Sequence, residues 1–140
     1  MIELHPSEFA SVLPLLASIK QKVLPKAICQ GYSPGRIFVD WRDHPQMVMV
    51  WSTLGYYFIA GVPHRPHDWV EASRVLAQIF VPASQAGGES SFILVPAQEG
   101  WNFQLFIKRG IANDIIVRTA RSGRRLGRIE IELTRLVIAG

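Results

Sequence analysis

Apolar residues recur with two different periods along this chain, and the period assigns most of its elements. Phe9, Val12, Leu13 and Leu16 fall at helical spacing, which predicts an opening helix with Ser7 as its cap. Pro14 lies inside that pattern. A proline there removes an amide donor and crowds the preceding turn, so a kink or two short helices are expected. A second helical segment is expected over 20–30, interrupted by Pro25 and stopped by Gly31. The rhythm then changes. Residues 36–40, 46–51 and 56–60 are dense in β-branched, aromatic and methionine side chains, with Asp43-His44-Pro45 and Leu54-Gly55 between them, which predicts a meander of three strands.

Asp68-Trp69-Val70-Glu71 has the form of a helix start, Asp68 accepting from the third amide and Glu71 reaching back. Trp69, Ala72, Leu76, Ile79 and Phe80 follow on one face, and Pro82 is expected to end the helix ahead of a polar loop over 85–90. Residues 92–95 form a short, wholly apolar run of the kind found in the middle of a sheet. A short helix is expected over 101–108, then strands over 114–119 and 128–136 joined by a turn at Arg121-Ser122-Gly123-Arg124. The order is helix, helix, three strands, helix, strand, helix, two strands. It predicts one α+β domain over residues 1–140, with a mixed, mostly antiparallel sheet flanked by helices.

Composition narrows the classes. A chain of 140 residues with 49% hydrophobic and 19% charged residues is long enough for one core and is not of disordered composition. No basic segment followed by an apolar run opens the sequence, and no apolar run approaches the ~20 residues a membrane span needs, so a cytoplasmic protein with no membrane partner is expected. Cys29 is the single cysteine, which excludes an intrachain disulfide and metal clusters built on cysteine pairs. The net charge of +4 is local: from Lys108 onward there are eight basic and three acidic residues.

Candidate chemistry is sparse. His64 and His67 beside Asp68 have the residue types of a metal site, but no third well-spaced ligand accompanies them and prolines flank them, so no metal is expected. His64, Arg65 and His67 can instead make an anion site from side chains. Arg121, Arg124 and Arg125 form a basic hairpin tip suited to an acidic partner. A nucleic-acid surface there would interleave stacking aromatics, and no aromatic residue follows Phe106, so nucleic acid ranks last. Cys29 has no local base and reads as a small hydrophobe. Trp41 falls in a turn and is expected to be partly exposed, marking an interface. The final run Leu136-Val137-Ile138-Ala139-Gly140 needs cover, which predicts a homodimer through that strand or the neighbouring sheet edge.

Ser33-Pro34-Gly35-Arg36-Ile37-Phe38-Val39-Asp40, then Pro45, then Tyr57-Phe58-Ile59-Ala60-Gly61, resembles the N-terminal half of a bacterial GNAT-like family whose longer members carry the better acetyl-CoA motif in their second half. The element order likewise resembles the GNAT superfamily of acyl-CoA-dependent N-acetyltransferases, lacking its first strand. The resemblance covers residues 9–131, but its specific residues lie between Ser33 and Gly61. It implies a pyrophosphate loop after the third strand of the meander, reading Gln/Arg-x-x-Gly-x-Gly/Ala and opening a helix. Glycines there let the backbone approach, and successive amides hold the phosphates. In this chain the stretch is Gly61-Val62-Pro63-His64-Arg65-Pro66-His67-Asp68, with one glycine, two prolines and a carboxylate. Arg124-Arg125-Leu126-Gly127 has the first four characters of the pattern, but a strand-like run follows it where a helix is needed. The resemblance also implies a tyrosine general acid on the helix over 101–108, which has none; Tyr32, Tyr56 and Tyr57 all lie earlier.

The expectation is therefore a GNAT-like domain with a degenerate acetyl-CoA loop, acting as a non-catalytic binding or dimerisation module, as a homodimer or with a second GNAT half. The alternative is a small N-acetyltransferase that binds acetyl-CoA through Gly61, His64, Arg65 and His67 and works mainly by positioning the amine.

Overall fold

The computed structural model describes residues 1–19, 23–62, 65–88, 91–96, 116–122 and 125–132. The helix expected over 101–108, His64, Arg124 and the terminal run 136–140 lie outside the described residues.

The chain opens with a two-residue strand, β1 (Ile2–Glu3), which the sequence pattern does not announce. A 3₁₀ segment (Pro6–Val12) and a single turn, α1 (Leu13–Leu16), follow. Pro14 thus lies at the start of a second short helix rather than inside a long one. The cap is His5, not Ser7. Pro6 has no amide and a fixed φ, so it starts the turn two residues earlier than a Ser7 cap implies. The Ser7 amide donates to His5 Nδ1 at 3.3 Å, and the His5 amide donates to Glu8 Oε1 at 3.0 Å.

Helix α2 (Val23–Cys29) takes Pro25 in its first turn, where the missing donor costs no intrahelical bond. It ends in a Schellman arrangement: the Gly31 amide donates to Ile28 O at 3.1 Å and the Tyr32 amide to Ala27 O at 2.9 Å, with Gly31 at φ +81°.

The meander follows as β2 (Gly35–Val39), β3 (Met47–Ser52) and β4 (Tyr56–Gly61), all antiparallel. Alternate residues of each strand enter two separate cores. Ile37, Val39, Val48, Val50, Phe58 and Ala60 face the N-terminal helices, with Phe9, Val12, Leu16 and Ile28. Phe38, Met47, Met49, Tyr57 and Ile59 face the other way, onto Leu76, Phe80 and Val81. Burial on both faces is why these strands read as nearly unbroken apolar runs.

From Pro66 the backbone stays helical to Ala86, as α3 (Pro66–Val75), a π turn (Leu76–Phe80) and α4 (Val81–Ala86). Pro82 therefore does not end the helix. The Val81 amide donates five residues back to Leu76 O, so the ladder slips by one residue just before the proline that cannot continue it. Strand β5 (Ser91–Pro96) then pairs parallel to β4, and β6 (Ile116–Ser122) and β7 (Arg125–Glu132) form an antiparallel hairpin. The sheet order is β1-β2-β3-β4-β5-β7-β6, with β7 inserted between β5 and β6. The α+β class and the mixed, mostly antiparallel sheet expected from the sequence are those observed. Among the described residues, no helix is long and apolar enough to cross a membrane.

The β2–β3 connection is organised by Asp40. Its Oδ1 accepts from the amides of Trp41 (2.9 Å), Gln46 (2.9 Å) and Met47 (3.1 Å), closing the loop onto the first residue of β3. Its buried Oδ2 has no partner among the described residues. Asp40→Ala leaves three amides without their acceptor and is expected to cost about 2 kcal/mol. Asp40→Asn keeps one acceptor oxygen and is expected to recover about half of that loss. Urea midpoints of the two variants measure the difference; equal losses would mean that Oδ1 is not the group that matters.

Candidate functional site

The only parallel junction in the described sheet is β4/β5, and a helix start follows β4 directly. Strand ends at such a junction are the usual place for ligands in mixed sheets, because chains diverge there and leave a crevice. Among the described residues the register runs from Tyr56↔Ile93 to Ile59↔Pro96. The stretch that the sequence singles out, Gly61 to Asp68, leaves from this point.

Gly61 has φ +83°, and a Cβ there would collide with the backbone carbonyl oxygen of Gln46, just ahead of β3. Its glycine is thus required by β3, against which it pairs at Met47. Arg65 precedes the first turn of α3, and Asp68 reaches back to it. The Arg65 amide and Nε donate to Asp68 Oδ2 at 3.3 and 3.4 Å, and Nη2 donates to Oδ1 at 3.1 Å. Asp68 is 3% exposed. The expected roles are therefore exchanged: Asp68 is the residue that reaches back, one turn earlier than the apolar spacing implies, because Pro66 initiates the helix.

Glu71 is held elsewhere. It accepts from Arg74, lies 3.4 Å from the Met1 ammonium, and faces His67 Nε2 at 3.5 Å. Burial pushes the Glu71 carboxyl up, but the Arg74 hydrogen bond and the ammonium pull it further down, so the net shift is below the ordinary value. Arg65 also lies over Trp41, with its guanidinium carbon 5.9 Å from the ring centroid. Trp41 is 50% exposed, as its turn position predicts.

The geometry brings Gly61, Arg65 and His67 to one end of the sheet, and it also brings two carboxylates. The helix start already carries an anion of its own chain. Asp68 accepts from the amide and guanidinium of Arg65, Pro66 has no amide, and Glu71 faces His67. Arg121 and Arg125 lie on β6 and β7, beyond β5 from this site. Among the described residues no group of three or more His, Cys, Asp or Glu is placed to hold a metal.

The tyrosines lie away from this end. Tyr56 and Tyr57 begin β4, about 15 Å of strand from Gly61. Tyr57 is buried in a polar chain absent from the sequence reading: Trp51 Nε1 donates to its hydroxyl at 2.7 Å, and the hydroxyl also pairs with Ser84. Trp51 and Tyr57 are cross-strand partners in the β3–β4 register, so the two strand boundaries contain the signal for that pair. Ser84 joins only because the helix runs past Pro82.

A separate groove of about 460 Å³ lies between the 3₁₀ segment and the end of α2, lined by Pro6, Phe9, Ile28, Cys29, Tyr32 and Pro34. Burial pushes the Cys29 thiol up to about 11. Only the thiolate attacks an electrophile, so at pH 8 iodoacetamide is expected to alkylate Cys29 about 100-fold more slowly in the folded chain than in urea. Equal rates would contradict the burial.

No protein-family model matches the chain, and no curated protein matches it significantly.

Proposed function

We propose that this chain is a GNAT-like domain whose acetyl-CoA loop is closed by its own side chains, and that it works as a non-catalytic binding or dimerisation module. The observation that carries this reading is the Asp68 carboxylate, buried at the start of α3 and bonded to the amide and guanidinium of Arg65. A diphosphate placed there meets a carboxylate and finds the Arg65 donors engaged. Three further features agree with it: the steric requirement for Gly61, the missing amide at Pro66, and the position of Tyr56 and Tyr57 at the far end of β4.

The test is a calorimetric titration with acetyl-CoA. No heat is expected at millimolar ligand. Saturable binding in the micromolar range would overturn the reading and favour the alternative, an acetyl-CoA-dependent N-acetyltransferase acting on an amine. One observation supports that alternative: β4 and β5 run parallel, and the strand ends of a parallel pair are a common place for a ligand to bind.

A further inference from the structure

The two edges of the described sheet differ. At one, β1 is two residues long, Pro6 follows soon after, and Arg36 clamps Glu3 through hydrogen bonds of 2.7 and 2.8 Å. A short edge strand with fixed charges is poorly suited to receive another strand. At the other, β6 is seven residues long and among the described residues pairs only with β7. Its register is regular over five consecutive pairs, from Ile116↔Glu132 to Ala120↔Arg128, and the irregularity falls after them, between Ala120 and Ser122. Among the described residues, nothing pairs with the amides and carbonyls that alternate residues of 116–120 turn away from β7, in strand geometry, over roughly 16 Å.

The charge of the hairpin decides what suits that edge. Residues 116–132 hold five arginines and two glutamates. Pairing two copies of this edge brings two strongly basic hairpins together, and like charges across a strand pair are destabilising. An extended acidic segment gains both the ladder hydrogen bonds and the charge attraction. We propose that the outer edge of β6 receives an extended acidic segment of another protein as an added strand. This goes beyond the preceding reading and stands whether or not acetyl-CoA binds at β4.

The test uses the full chain and two fluorescent heptapeptides: one alternating glutamate and valine, and one of identical charge with proline in place of valine. Both carry the electrostatic attraction, but only the first donates a ladder. The glutamate–valine peptide is expected to bind at least about tenfold more tightly by anisotropy and to slow hydrogen exchange of amides 116–120. Reversing charge on the same strand, with Arg118→Glu and Arg121→Glu together, is expected to weaken binding by at least about tenfold. Equal affinity for the two peptides would overturn the proposal, as would unchanged exchange at 116–120. So would protection of those amides by self-association without peptide, or tighter binding of a random DNA duplex than of the peptide. Each result is independent of the acetyl-CoA titration.

Discussion

Gly61→Ala is expected to destabilise the chain by about 3 kcal/mol or more, through two effects that act together. The backbone at this position has φ +83°, which a side chain disfavours. The added methyl also meets the Gln46 carbonyl, a backbone group just ahead of β3 that cannot rotate aside. Relief requires Gly61 to move off Met47, opening the β3–β4 ladder at the end where α3 begins. A urea titration measures the loss as a fall in the midpoint. A midpoint within error of the unsubstituted chain would mean that β4 yields at its end. It would also return Gly61 to the pool of residues held for a ligand.

Phe80→Ala is expected to cost about 3–5 kcal/mol, the largest loss from any single truncation proposed for this chain. Phe80 is fully buried and touches two rings, Tyr57 at 4.9 Å between centroids and Phe38 at 5.7 Å edge-on. Its removal leaves a void between the helical layer and two strands, in a core where the neighbouring positions are also fully buried. The site lies at the end of the π turn, so the backbone there is already committed by Pro82 and relaxes little toward the void. Phe80→Leu restores most of the volume and is expected to recover more than half of the loss. Thermal or urea denaturation reads both variants. Similar losses for the two would show that ring contacts, rather than volume, dominate.

The meander is legible in the sequence because its strands are buried on both faces. Val48, Met49 and Val50 must all be apolar when successive residues enter opposite cores, and that leaves a run no surface element would have. The helical segment after β4 is legible as a helix but not in its bounds. Pro66 and Pro82 look alike as punctuation, yet one initiates the first turn and the other sits beyond a π turn that absorbs its missing donor. Whether a proline ends a helix depends on the ladder ahead of it, which residue type alone does not specify.

The local contacts of the candidate site are less legible than its elements. The residues between Gly61 and Asp68 leave the end of β4, a strand of the one parallel junction in the described sheet. Sequence spacing assigns Asp68 to the cap, and in the fold it reaches back to Arg65 instead. The Arg65–Trp41 stacking joins residues far apart in the chain, and no local pattern announces it. The three-amide role of Asp40 is the kind of signal a closer reading of the turn finds, since an aspartate ending a strand before a proline-containing loop is placed to accept from it.

At the start of α3 the chain's own Asp68 carboxylate is bonded to Arg65. Backbone amide shifts of Gly61, Arg65, His67 and Asp68 during titration with acetyl-CoA test it residue by residue. These four amides are expected to keep their positions up to millimolar ligand. Saturable shifts at Arg65 and Asp68, at micromolar concentration, would contradict it.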